Sequence, residues 1–267
     1  MAAKVRLDAL LAGRGLFPSR SRAAAAIVAG DVLLGDGRRR AEKPGQLVAE
    51  DVAVDVAAAP AYVSRGGVKL ANALDALGVV VAGRRALDVG ASTGGFTDVM
   101  LQRGATHVIA LDVAYGELDW RLREDERVTV IERTNARSLT PDVLPYLPDL
   151  VTLDVSFISL TKVLGPVLAC TAAGGGRFDV LAMVKPQFEV GRDRIGKGGV
   201  VLDPALRREA LVSVAAFARA EGASVLGFAS SGLPGPKGNL ETFAWLAEPG
   251  RAGAVDDLEA AARTVEP

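Results

Sequence analysis

The residues best placed to do chemistry lie along Leu87-Asp88-Val89-Gly90-Ala91-Ser92-Thr93-Gly94-Gly95-Phe96. An apolar run, Arg85 to Val89, passes into small residues and then into a helical-looking segment, Phe96 to Leu101. Strand, glycine-rich turn and helix start form the order of a nucleotide-binding α/β unit, in which glycines let the backbone turn sharply against a ligand. A second apolar run, His107 to Leu111, ends in Asp112, an acid placed to accept hydrogen bonds from both hydroxyls of a ribose. A dinucleotide fingerprint would read G-x-G-x-x-G. Here three non-glycine residues separate Gly90 from Gly94-Gly95. That spacing suits an adenosyl ligand without a pyrophosphate, such as S-adenosylmethionine. An NAD-linked oxidoreductase is the runner-up if the glycine spacing misleads.

In open α/β sheets, ligands sit outside the carboxyl ends of the strands. Those ends read Gly90, Asp112, Asp154 and Lys185. Asp154 follows Asp149-Leu150-Val151-Thr152-Leu153, and Lys185 follows Val180-Leu181-Ala182-Met183-Val184. Several methyl acceptors are disfavoured by what the chain lacks. No proline-rich clamp follows Asp154, as an exocyclic-amine acceptor would commonly want. Cys170 lies in an apolar helical stretch and His107 heads an apolar run, so both read as packing residues. A hydroxyl acceptor, activated by lysines and carboxylates, remains.

Periodicity predicts strands at 86–89, 107–111, 128–131, 149–153, 178–184, 224–229 and 242–246, with helices at 96–103, 159–169 and 205–220. A further helix is expected from Lys69 to Leu77, ending at Gly78. The alternation argues for a mostly parallel sheet covered by helices, closed by an antiparallel hairpin at its edge. The longest uncharged stretch, Val163 to Gly176, has 14 residues and is too short and too weakly apolar to span a membrane. One cysteine and one histidine exclude an internal disulfide and a Cys/His zinc site, so no metal is expected. With no signal-peptide pattern at the amino terminus, the chain reads as cytoplasmic.

Charge is segregated. Residues 1–43 carry nine Lys/Arg, Arg38 among them, against four acids, whereas the rest carries 22 basic and 28 acidic residues. A basic head on an acidic body suggests that the head meets a polyanion. Leu7, Leu10, Leu11 and Leu16-Phe17 mark one apolar helical stripe, Arg20 to Ala29 a second helix, and Val32-Leu33-Leu34 and Asp51 to Val56 short strands. The order Leu10-Leu11-x-x-Arg14-Gly15-Leu16-x-x-Ser19-Arg20-Ser21-x-Ala23, then Ile27-x-x-Gly30-x-Val32, resembles an S4-type RNA-binding domain. Such a domain implies electrostatic and shape recognition of folded RNA. Arg6, Arg14, Arg20, Arg22, Lys43 and Arg65 are the expected contacts.

Further motifs extend the resemblance over essentially the whole chain. They are Val63-Ser64-Arg65-Gly66, Glu132-Arg133-Thr134-Asn135-Ala136-Arg137, Asp154-x-Ser156-Phe157-Ile158-Ser159-Leu160, Val184-Lys185-Pro186-Gln187-Phe188-Glu189-Val190-Gly191 and Pro234-Gly235-Pro236-x-Gly238-Asn239-x-Glu241. With the glycine-rich turn, they resemble the TlyA (haemolysin A) family of rRNA 2′-O-methyltransferases, an S4 domain joined to an FtsJ-like methyltransferase domain. The resemblance implies a small α+β S4-like domain at 1–59, a linker at 60–64, and a Rossmann-like S-adenosylmethionine-dependent methyltransferase domain at 65–267. It implies methylation of cytidine ribose in 16S and/or 23S rRNA within 30S and/or 50S subunits, by a monomer needing neither DNA nor membrane.

The family's Lys-Asp-Lys-Glu tetrad falls on Lys69, Asp154, Lys185 and Glu241. In this reading Lys185 takes the hydroxyl proton, Lys69 and Asp154 orient the ribose, and Glu241 holds a lysine. Gly90, Ala91, Ser92, Thr93, Gly94, Gly95, Phe96, Asp112, Asn135 and Asp154 are the expected cofactor contacts, with Asn135 beside the adenine. The linker reads Pro60-Ala61-Tyr62-Val63 where family members of dual specificity resemble Arg-x-Trp-Val. Two other readings stay open: an inactive RNA-binding ribosome-assembly factor, and a membrane-active haemolysin.

Overall fold

The computed structural model describes residues 4–36, 39–56 and 61–266. The linker's Pro60 and the basic head's Arg38 lie outside the described residues. The chain divides into two compact units, Met1–Ala61 and Tyr62–Pro267.

The first unit contains β1 (Lys4–Arg6), α1 (Leu7–Gly13), α2 (Arg20–Ala29), β2 (Val32–Leu34), β3 (Arg39–Arg40), β4 (Leu47–Ala49) and β5 (Val54–Val56). β1 pairs with β4, while β2 lies between β3 and β5, all antiparallel. Leu7 and Leu11 of α1 and Ala23 and Ile27 of α2 are buried together with Val32 and Leu34. Ser19 caps α2 through a hydrogen bond accepted from the Arg22 amide. The apolar stripe expected to reach Leu16 stops short of it. Helix α1 ends at Gly13, Gly15 takes a left-handed φ of 71°, and Leu16 is left exposed.

The second unit contains α3 (Arg65–Leu77), β6 (Arg85–Val89), α4 (Gly95–Gln102), β7 (His107–Leu111), α5 (Trp120–Arg123), β8 (Val128–Ile131), β9 (Leu150–Leu153) and α6 (Leu164–Ala172). It continues with β10 (Asp179–Val184), α7 (Pro186–Glu189), α8 (Pro204–Ala220), β11 (Ser224–Ser230), β12 (Thr242–Ala247) and α9 (Leu258–Val265). The strands form one seven-stranded sheet in the order β11-β12-β10-β9-β6-β7-β8. β12 runs antiparallel to both its neighbours, and the pairs from β10 to β8 are parallel. This is a Rossmann-like, mostly parallel sheet. Its last strand in sequence is inserted inside the sheet and leaves β11 at the edge.

Period-two alternation sends side chains to two cores. Leu87, Val89, Val151, Leu153, Val180 and Val184 pack with α6, α8 and α9. Ala86, Val108, Leu181, Met183 and Phe243 pack with α3 and α4.

The helix expected at 159–169 begins later. Ser159 accepts from the Thr161 amide and starts a single 3₁₀ turn, Leu160–Lys162, before α6 starts at Leu164. Pro166 explains the break. Its ring would clash with the carbonyl four residues back in a continuous helix, but the first turn of a new helix tolerates it. Among the described residues no helix is long and apolar enough to cross a membrane.

Candidate active site

The crevice lies where chain order reverses in the sheet. β6 has β7 on one side and β9 on the other, so the connections leaving their carboxyl ends diverge. Gly90 leaves β6 with φ 84°, and a Cβ there would stand 2.7 Å from the backbone oxygen of Asp154 at the end of β9. Only glycine permits that approach. Below this turn Asp88 is fully buried, accepting from Thr97 Oγ1 at 2.7 Å and Thr152 Oγ1 at 3.1 Å. These bonds tie β6 to α4 and to β9. Burial pushes the Asp88 carboxyl up to about 7, although both hydroxyls oppose the shift.

A cavity of about 610 Å³ opens over these strand ends. It collects the expected tetrad from four places: Lys69 from α3, Asp154 after β9, Lys185 after β10 and Glu241 before β12. Lys69 and Glu241 are buried and joined by a short ion pair. Gly235 makes room for that carboxylate, since a Cβ would lie 2.5 Å from Glu241 Oε1. Lys185 Nζ lies 2.5 Å from Asp154 Oδ1 and donates to Ser156 Oγ at 2.8 Å. The four charges therefore form two lysine–carboxylate pairs, and the quartet as a whole is neutral.

Of the expected cofactor residues, Gly90, Ala91, Ser92, Thr93, Gly95, Phe96 and Asp154 line this cavity. Asp112 borders a small adjoining cleft that shares Ala91 and Ser92 with it. Its carboxylate is fixed by the Ser92 amide at 2.7 Å and the Ala114 amide at 2.8 Å. Each oxygen keeps a lone pair for a ribose hydroxyl. Gly94 lines neither space, because a Cβ there would run into Leu118 and Leu122. Its task is to let α5 pack against the turn. Asn135 is not brought to either space. Its Oδ1 caps a 3₁₀ turn by accepting from the Arg137 amide at 3.0 Å.

The expected RNA contacts are dispersed in kind. Arg65 is exposed at the cavity, while Arg22 and Lys43 are exposed on the first unit. Arg6 and Arg20 both pair with Asp8, and the paired Arg6 guanidinium holds that carboxyl well below the usual range. Arg14 instead donates to the backbone oxygens of Val52 and Glu50, which makes it a brace of the fold.

Sequence reasoning missed a second layer of the site. Loop 154–160 and the segment 185–189 are fastened together at intervals. Besides the Lys185 contacts, Phe188 packs on Phe157 with ring centroids 5.4 Å apart. Glu189 accepts from Ser159 Oγ at 2.6 Å and the Leu160 amide at 2.8 Å. Phe157 has φ 64° and is 92% exposed. A bulky residue held there in a left-handed conformation is strained and unshielded. Asn239, buried in the cavity lining, bridges Val201 and Gly199.

The residues fit an adenosyl cofactor. Gly90 to Thr93, Gly95 and Phe96 line the cavity on one side of these strand ends. A glycine turn that approaches Asp154 and a braced Asp112 carboxylate complete the cradle.

The FtsJ-like methyltransferase model matches residues 62–248. A 16S/23S rRNA (cytidine-2′-O)-methyltransferase TlyA from Mycobacterium tuberculosis is 50% identical over 248 residues, covering 92% of this chain and 91% of that protein. Hemolysin A of Brachyspira hyodysenteriae is 36% identical over 241 residues, with 90% and 98% covered. A solved structure from Streptococcus thermophilus, described as a candidate hemolysin, superposes with a TM-score of 0.72 at 36% identity, covering 99% of this chain and 96% of that one.

Proposed function

The chain belongs to the FtsJ-like methyltransferase family, whose methyl donor is S-adenosylmethionine, and from that premise we propose that it methylates the 2′-hydroxyl of cytidine in 16S and/or 23S rRNA. The observation that carries this reading is the pairing of Lys185 with Asp154 and of Lys69 with Glu241 around one cavity beside the glycine-rich turn. A ribose hydroxyl is a poor nucleophile and must lose its proton as it attacks. Bound S-adenosylmethionine supplies an electrophilic methyl group on a sulfonium. The turn Gly90 to Phe96 and Asp112 would hold it.

The chain's own residues handle the proton. Lys185 Nζ, acting in its neutral form, takes the proton of the 2′-hydroxyl, and the Asp154 carboxylate, 2.5 Å away, stabilises the ammonium that results. Ser156 Oγ keeps Nζ aimed at the hydroxyl. Lys69, held by Glu241, donates to the ribose and fixes its attitude. A positioned base of this kind is worth about 10²–10⁴-fold in rate. The exposed Phe157 ring offers a face on which a base turned out of its stack can lie. The first unit, which exposes Arg22 and Lys43, contributes phosphate contacts in this reading.

Ribose methylation has a chemical signature, because a 2′-O-methyl group blocks alkaline cleavage of the adjoining phosphodiester. After reaction of rRNA with methyl-labelled S-adenosylmethionine and alkaline digestion, label in resistant dinucleotides supports the reading. Label confined to mononucleotides places the methyl group on a base and overturns it.

A further inference from the structure

Along the segment that carries the catalytic lysine, almost every side chain is already committed. Lys185 serves Asp154 and Ser156, Phe188 packs on Phe157, and Glu189 holds Ser159 and Leu160. Gln187 is the exception. It lines the cavity and is half-buried, yet its Oε1 is enclosed without a hydrogen-bond partner. Asp154 Oδ1 at least has Lys185 Nζ beside it. An enclosed amide oxygen without a protein partner is costly, so the atom calls for a ligand or a water.

The position of Gln187 says which ligand that is. The cofactor anchors, Gly90 and Asp112, follow β6 and β7. Gln187 follows β10, two strands from β6 on the side away from β7, so it enters the cavity away from the cofactor anchors. It precedes Phe188 in the chain and lines the same cavity as the Phe157–Phe188 pair, against which a planar ring would rest. A carboxamide offers a donor and an acceptor in one plane, which matches the in-plane edge of a nucleobase.

Resting on the reading of this site as an RNA ribose methyltransferase, we propose that Gln187 is a specificity-determining residue whose amide turns into the cavity and hydrogen-bonds the edge of the acceptor nucleotide's base. The base, held on its face by Phe157 and on its edge by Gln187, sets the 2′-hydroxyl against Lys185. Binding supplies the partner that the resting amide lacks.

The test is Gln187→Met, which keeps length and volume while removing the amide. Because an apolar replacement relieves the unpartnered oxygen, the melting temperature is expected to hold or rise. The S-adenosylmethionine Kd, by calorimetry, stays within about two-fold, while kcat/KM on ribosomal subunits falls about ten-fold, the worth of roughly one hydrogen bond. The decisive arm maps the acceptor nucleotide by mass spectrometry and rebuilds the subunit with an abasic ribose there, which keeps the 2′-hydroxyl. On that substrate wild type and Q187M should react equally. Gln187→Ala is the second variant, with the same expected losses.

An equal rate for Q187M on the normal substrate overturns the inference. So does a loss that persists on the abasic one, or a matching loss of cofactor affinity. No ribose methylation by the wild-type protein defeats the underlying reading and this inference with it. Ribose methylation without base dependence defeats the inference alone.

Discussion

Gly95 and Ser64 approach so closely that a Cβ on the glycine would collide with Ser64 Oγ and stand 2.8 Å from the Gly67 amide nitrogen. The segment entering α3 is thereby packed directly on the start of α4. A hydrogen bond from the Val63 amide to Asp98 Oδ2 at 2.8 Å holds it there. Tyr62 fills the space beside Gly67, where a Cβ would run into its ring. The linker's aromatic residue thus braces the floor of the cofactor turn, although the arginine of related linkers is absent.

Gly95→Ala should therefore weaken S-adenosylmethionine binding about ten-fold or more, since the added methyl must displace backbone as well as a hydroxyl. Adding Ser64→Gly should restore only part of the loss, because the Gly67 contact remains. Calorimetric Kd values for the single and double variants check this. Full restoration would show that the hydroxyl alone is responsible.

Lys185→Ala should lower methyl transfer about 10²–10⁴-fold with the cofactor Kd unchanged. Lys185 reaches Asp154 and Ser156, whereas the cofactor cradle is built from the β6 and β7 ends. Equal losses of turnover and cofactor binding would assign Lys185 to the cradle.

Asp88 gives the fold a pH dependence of unusual sign. Its folded value of about 7 lies above the ordinary carboxylate range, so the folded state holds the proton more tightly than the unfolded one. Its contribution to stability is fully present below the unfolded value and is lost as pH rises through about 7. Asp88→Asn should melt higher than wild type at pH 8.5, by about 3 °C or more, with the advantage shrinking toward pH 5. Melting curves across that range test it. A variant less stable at every pH would mean that the Thr97 and Thr152 bonds require the carboxylate.

Glu248 behaves in the opposite way. Arg251 grips it with bonds of 2.6 and 2.7 Å, and the carboxyl falls to about 2. Its stabilisation is present above the unfolded value and is lost as pH falls through about 2. Glu248→Gln should lower the melting temperature by about 2–4 °C at pH 7, with the gap closing in strong acid. Thermal melts at both extremes check the sign.

The site was legible wherever function follows strand position. Gly90, Asp112, Asp154 and Lys185 could be placed because alternating apolar runs locate strand ends, and ligands collect there. Lys69 and Glu241 were reached only through family resemblance. One stands on a helix and the other in a loop, and no local pattern brings them together. Asn135 has no such strand-end signal, and an asparagine before a short helical turn caps it as readily as it meets a ligand. The left-handed backbone of Phe157 and the stranded oxygen of Gln187 leave no mark in composition or spacing. Both are properties of packing, and they appear only when loop 154–160 is fastened to segment 185–189.

The most direct test of the central claim is methyl transfer from labelled S-adenosylmethionine to purified 30S and 50S subunits, with the product nucleoside identified by mass spectrometry. The expected product is 2′-O-methylcytidine on at least one subunit, lost with Lys185→Ala. Cofactor bound with no label entering either subunit, or label in any nucleoside other than a ribose-methylated cytidine, would contradict it.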